Sequence, residues 1–143
     1  MSIAEIEKEI VEEFALFPEW MDKYEHLIEL GKALPPFNPD NKTESHLING
    51  CQSRVWLAAN YENGLVYFSA DSDAIITKGI VSLLVRVLSG QPPQAIIDAP
   101  LDFINQIGLK ENLSPTRANG LLSMVKQMKL YALVYSQKLK MEN

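Results

Sequence analysis

The sequence predicts an α+β fold in a single domain over residues 1–143. Three observations predict it. Apolar residues recur every three or four positions through the first third of the chain and again after residue 71, as on one face of a helix. Between those stretches lie two short runs rich in Val, Leu and aromatic residues, joined by Asn63-Gly64. Finally, 143 residues with 47% apolar and 22% charged suit one ordinary globular core. No internal repeat, low-complexity tract or second-domain boundary interrupts the chain.

The elements follow in order. Ile3, Ile6, Ile10 and Phe14 give the first helix one apolar face. Pro18 is placed to open the second, whose stripe is Trp20, Tyr24, Leu27 and Ile28 with Gly31 and Leu34 extending it. Pro35-Pro36 stops that helix, and a Pro-, Asn- and Asp-rich loop runs to about Ser45. His46-Leu47-Ile48 is a candidate third strand ahead of two clearer ones, Arg54 to Ala59 and Leu65 to Ala70. Asn63-Gly64 favours a tight hairpin because both residues tolerate positive φ. A lone hairpin is marginal in water, so helices must cover one face of this small antiparallel sheet of about three strands. Asp71-Ser72-Asp73 offers N-cap oxygens to a helix that ends at Gly90, with Ile76, Ile80, Leu83, Leu84, Val87 and Leu88 as its stripe. Pro92-Pro93 opens a short helix, and Leu101 to Ile107 another, closed by Gly108. Ser114-Pro115 then starts the last helix, where Leu121, Val125, Met128, Ala132, Tyr135 and Leu139 form the buried stripe.

Charge narrows the function. Thirteen basic against eighteen acidic residues leave a net charge of −5. That argues against a general nucleic-acid binder, which works by neutralising phosphates, and it suits a protein partner with a basic patch. No apolar run approaches the ~20 residues that span a bilayer. Met1 to Glu13 is acidic and amphipathic, unlike a signal peptide. With a single cysteine, this places the chain in the cytoplasm.

That cysteine is the most informative residue. Cys51 sits in Gly50-Cys51-Gln52-Ser53-Arg54-Val55-Trp56, a turn running into a strand. One cysteine forms no internal disulfide and falls short of a zinc site. It is either a small core residue, the commoner fate of free cysteine, or a reactive thiol. Polar Gln52, Ser53 and Arg54 suit a loop tip better than a core strand. A thiol hydrolase would need a base at the sulfur. Only His26 and His46 are available, and His46 comes within reach if the loop folds back. Arg117 lies in the first turn of the last helix, where a cation works against the dipole. Taken alone, a long side chain bending into water explains it.

Three separated segments then agree on one family. Gly50 to Trp56 resembles the cysteine loop of the SufE family of sulfur acceptors. Asp71-Ser72-Asp73-Ala74-Ile75-Ile76-Thr77-Lys78-Gly79-Ile80 resembles the family's segment after the hairpin, with Thr77 and Ile80 as departures. Leu113-Ser114-Pro115-Thr116-Arg117-Ala118-Asn119-Gly120-Leu121 resembles its opening of the last helix, with Thr116 as a departure. Trp20, Tyr24 and Ile28-Glu29-Leu30-Gly31 fit its second helix.

The resemblance implies a SufE/NifU-like α+β fold with the cysteine on a loop. It implies that Cys51 takes sulfane sulfur from a pyridoxal-phosphate cysteine desulfurase of the SufS or CsdA type, stimulates that enzyme, and passes the sulfur to an iron–sulfur scaffold of the SufBCD type. Gly50, Gln52, Ser53, Arg54, Asp71, Asp73 and Arg117 are then expected to position the loop or meet the partner. No cofactor or metal is expected on this chain, since the pyridoxal phosphate belongs to the partner. Two other readings stand beside this one: a non-catalytic activator of a desulfurase, and the Cys51–His46 thiol hydrolase.

Overall fold

The computed structural model describes residues 1–142. Helix α1 (Ile3–Phe14) begins with a reciprocal cap: Glu5 N–H donates to Ser2 Oγ, and Ser2 N–H donates to Glu5 Oε1. It buries Ile3, Ile10 and Phe14. Helix α2 (Trp20–Lys32) starts two residues later than Pro18 predicts. The N–H groups of Asp22 and Lys23 both donate to the Glu19 carbonyl, which makes Glu19 the N-cap and leaves Pro18 in the preceding turn. The long loop that follows holds two single 3₁₀ turns, at Pro39–Asn41 and Glu44–His46.

Strands β1 (Val55–Glu62) and β2 (Leu65–Ser72) pair antiparallel from Val55↔Ser72 to Glu62↔Leu65. Asn63 (φ 52°) and Gly64 (φ 82°) make the predicted turn. The expected third strand at His46–Ile48 is a single bridge, Leu47↔Trp56, so the sheet has two strands rather than about three. The reason is local. His46 is used in the 3₁₀ turn, and after Ile48 donates to Val55 the chain swings away at Gly50, whose φ is +90°.

Helix α3 (Ile75–Leu88) is the centre of the core, burying nine of its residues on more than one face. Its sheet-side neighbours are Val55, Leu57, Val66, Phe68 and Ala70, all buried. On its other side α2 approaches backbone to backbone, at Gly31 and Gly79. Three short helices follow, α4 (Pro93–Asp98), α5 (Phe103–Gln106) and α6 (Leu109–Asn112). Helix α7 (Pro115–Glu142) then packs along the molecule. Its buried face keeps Leu121, Met128 and Ala132 of the predicted stripe and adds Met124 and Ser136 in place of the rest. Val125 is half-buried and Leu139 exposed. Contacts above and below hold α7 in this rotation: Gly120 and Ser123 face the cysteine loop, and Tyr135 stacks on Tyr61 with centroids 5.2 Å apart. Among the described residues no helix is long and apolar enough to cross a membrane.

Lys129 ties α7 to α4. Its ammonium donates to the carbonyls of Ile96, Ile97 and Ala99 at 2.9, 2.9 and 2.6 Å. These are the end groups of a helix with no other side-chain cap, and a cation is favoured there. Lys129→Met keeps the packing stem but strands these carbonyls. It is expected to cost about 1–3 kcal/mol, read as a lower urea midpoint with an unchanged slope.

Candidate functional site

The cysteine loop is fastened at both ends. At its start, Gly50 lies in the left-handed region and against α7, where an added Cβ would stand 2.5 Å from Ser123 Oγ. Only glycine meets both demands. At its end, Arg54 is gripped through its backbone. Its N–H donates to Asp73 Oδ1 at 3.0 Å, and its carbonyl accepts from Ser72 Oγ at 2.8 Å and from the Asp73 N–H at 3.2 Å.

These bonds correct one expectation. Asp71-Ser72-Asp73 does not cap α3. Asp71 and Ser72 are the last residues of β2, and the α3 N-cap is Ala74, with no side-chain bond. The ladder extends to Val55↔Ser72, so the strand claims Asp71 and Ser72, and the side chains of Ser72 and Asp73 hold the end of the cysteine loop instead. Asp71 faces Lys42 (2.9 Å) and Lys78 (3.2 Å), and Lys42 also lies over the Trp56 ring. The cluster pins the long loop to the sheet.

Partial burial pushes the Asp71 carboxyl up. Hydrogen bonds from Lys42, the Ser72 N–H and Lys78 together outweigh that and hold it below its ordinary value. A carboxyl that is the stronger acid when folded stabilises the fold above its unfolded pKa, about 3.9, and this stabilisation is lost as the pH falls through the folded value. Asp71→Asn is therefore expected to lower stability by about 1 kcal/mol at pH 7. The difference between variant and wild type should narrow as the pH is lowered below the unfolded value, as urea unfolding across a pH series will show.

Between its anchors the loop presents Cys51, half-buried. Its thiol donates to the Gly120 carbonyl of α7 at 3.6 Å. Beside it is a recess of about 90 Å³. Gln52 and Ser53 form its loop wall, Thr77 and Ile80 of α3 its floor, and Thr116, Arg117, Gly120 and Met124 of α7 the far side. Burial pushes the Cys51 thiol up from its ordinary value, which favours the protonated form that can donate to Gly120. At rest the sulfur is a masked nucleophile.

Of Arg54, His46 and Arg117, Arg117 alone lines the recess. Its N–H is held by Ser114 Oγ, and its guanidinium donates to the Tyr24 hydroxyl of α2 at 3.3 Å. The Arg54 side chain is exposed on the outer surface. His46 bonds to Thr43 Oγ1 through Nδ1 and is not part of the recess. His26 sits elsewhere, against Glu13 Oε2 at 2.7 Å. No imidazole is hydrogen-bonded to the Cys51 sulfur among the described residues, so the geometry gives a thiol hydrolase no base. No group of three or more His, Cys, Asp or Glu side chains able to hold a metal occurs among those residues.

The structure thus gathers Gly50, Cys51, Gln52, Ser53 and Arg117 at one place. Arg54 and Asp73 act as the loop's anchor, and Asp71 lies outside the recess. Sequence reasoning missed Gly120, Met124 and Tyr24 as neighbours of this group. Gly120 carried a usable signal, since glycine inside a helix costs about 1 kcal/mol relative to alanine and so marks a close approach.

Comparison with known proteins decides the family. The SufE family, described as an Fe-S metabolism associated domain, matches residues 8–132. The chain belongs to the SufE family. Its SufE-like relatives include an uncharacterized protein of Rhizobium etli, 40% identical over 127 residues that cover 85% of each chain. SufE-like protein 1 of Arabidopsis thaliana, chloroplastic/mitochondrial, is 43% identical over 88% of this chain and 34% of its own length. A solution structure of a hypothetical protein from Thermus thermophilus superposes with a TM-score of 0.73 at 26% identity, covering 89% of this chain and 93% of the other. The α+β SufE fold is therefore shared. SufE membership assigns the chain to iron–sulfur metabolism and implies a cysteine desulfurase as its partner.

Proposed function

We propose that this SufE-family protein is a cytoplasmic sulfur acceptor that carries sulfane sulfur on Cys51. The observation that carries the reading is the masked thiol: one cysteine on a doubly anchored loop, parked on the Gly120 carbonyl beside a recess with an arginine at its rim. The Cys51 thiolate attacks the outer sulfur of a persulfide on the partner's cysteine. A new S–S bond forms on Cys51, the old one breaks, and the partner cysteine leaves as a thiolate. The sulfane sulfur keeps its oxidation level, so no outside oxidant or reductant is consumed. Having no second cysteine matters. A resolving thiol in the same chain would expel sulfide and close a disulfide, whereas a lone cysteine holds the sulfur until a recipient thiol arrives.

The donor is a pyridoxal-phosphate desulfurase of the SufS or CsdA type, and the recipient is a scaffold of the SufBCD type. The chain needs no cofactor of its own. Docking must lift Cys51 away from Gly120 to expose it and lower its pKa. A small alkylating reagent should therefore label Cys51 slowly in the free protein and faster with a catalytically inert desulfurase bound. Equal rates would refute the opening step. The reading as a whole is tested by incubation with the desulfurase and cysteine. Intact mass should rise by one or more sulfur atoms and return on treatment with a thiol reductant.

Arg117 supports that transfer. Its guanidinium keeps its charge and has further donors free beyond the one used on Tyr24. Arg117→Ala is expected to slow sulfur uptake about tenfold, the scale of one charge-assisted hydrogen bond. Its melting temperature should hold or rise slightly, because a cation leaves the positive end of the α7 dipole. Wild-type uptake and affinity would make Arg117 an ordinary surface residue.

A further inference from the structure

Thr77 stands out on the recess floor. It is 6% exposed and sits on α3 between buried Ile76 and Ile80, in a helix whose buried face is otherwise almost entirely aliphatic. Valine would fill nearly the same space, so the hydroxyl is the feature to explain; it is not sealed from solvent, and the side chain lines the recess. The hydrogen bonds around the recess run from Cys51 to Gly120 and from Arg117 to Tyr24, and neither engages the Thr77 hydroxyl.

The sulfur chemistry supplies a partner. A free thiol has a proton to give, and Cys51 gives it to a carbonyl oxygen. A persulfide has no proton on its inner sulfur, so that bond is lost on loading. Its outer sulfur is more acidic than a thiol and carries negative charge at neutral pH. An anion beside a carbonyl is repelled and needs a donor instead. Arg117 is the charged side chain in the recess, and it is exposed at the rim. Gln52, Ser53 and Thr116 also line the recess, but of its uncharged donor residues Thr77 alone is buried.

We propose that the Thr77 hydroxyl donates a hydrogen bond to the outer sulfur of the Cys51 persulfide, holding the loaded sulfur in the recess as its anion. This rests on Cys51 being a persulfide carrier and assigns a positioning residue that the free thiol does not use.

The test loads Cys51 with inorganic polysulfide, whose internal S–S bond the thiolate attacks, releasing a shorter polysulfide. No desulfurase is needed, so failure of a desulfurase to load Cys51 would refute the acceptor reading without entering this measurement. The loaded protein is alkylated with iodoacetamide across a pH series, and the midpoint of the rate reports the outer sulfur's ionisation. Hydrogen bonding to the charged form lowers a pKa, so losing the donor raises it. Thr77→Val should move the midpoint up by about one pH unit, a roughly tenfold change in the ionisation equilibrium. Thr77→Ser should keep the wild-type midpoint. Thr77→Ala provides a second hydroxyl-free variant should valine disturb folding. A wild-type midpoint in the hydroxyl-free variants, or a serine variant shifted as far as valine, would overturn the assignment.

Discussion

Cys51→Ser is expected to take up no sulfur from a desulfurase and cysteine, while binding the desulfurase about as well as wild type. The full loss is expected because only a thiolate can attack a persulfide and hold the sulfur in a reversible S–S bond. Binding survives because the loop's shape does not depend on the sulfur. Gly50 and Ser123 fix its start and the Arg54–Asp73 bonds its end. The single bond lost is the weak one from Cys51 to Gly120, at 3.6 Å. Intact mass after incubation reads uptake, and calorimetric titration reads binding. Sulfur on the serine variant would sink the acceptor role. A serine variant that stimulates desulfurase turnover as fully as wild type would favour the activator reading, in which the thiol is dispensable.

Gly79→Ala is expected to lower stability by about 3 kcal/mol, at the upper end for overpacking, and the melting temperature by about 10 °C. An added Cβ on Gly79 would collide with the Leu27 carbonyl oxygen and stand 2.7 Å from its carbonyl carbon. Gly31 faces the same point from α2, where a Cβ would stand 2.8 Å from the Gly79 nitrogen. Backbone meets backbone on both sides, so no side chain can turn aside and the helices must part. Ser82 Oγ, which donates to the Leu30 carbonyl at 3.2 Å, would lose its partner as they do. The damage reaches the site, since α3 carries Thr77 and Ile80 in the recess and α2 holds Arg117 through Tyr24. Gly64→Ala is the control: φ is +82° but nothing lies within 4 Å, so it should cost only about 1 kcal/mol of backbone strain. A wild-type melting curve for Gly79→Ala would refute the close crossing.

Much of this protein is legible in its sequence because local chemistry has local consequences. The period of its apolar residues marks the long helices, Asn63-Gly64 closes the hairpin, and Ser114-Pro115 opens α7, with Ser114 Oγ bonded to the Arg117 N–H as a cap should be. The lone cysteine in a polar loop, with two further segments in matching order, was enough to point to the SufE family. Tertiary structure decided what depends on several elements at once. A tripeptide rich in oxygens reads as a helix cap, yet cross-strand pairing claimed Asp71 and Ser72 and turned Asp73 onto Arg54. His46-Leu47-Ile48 reads as a strand, yet the turn at Gly50 leaves it one bridge. The rotation of α7, and with it the burial of Met124 in place of Val125, was set by the cysteine loop at one end and Tyr61 at the other. The recess is the clearest case. Its walls come from a loop, α3 and α7, separated by tens of residues, and no spacing along the chain encodes that Gly120 would face Cys51 or that Thr77 would lie beneath it. Periodicity and turn chemistry act over a few neighbouring residues, whereas a cavity exists only where packed elements meet.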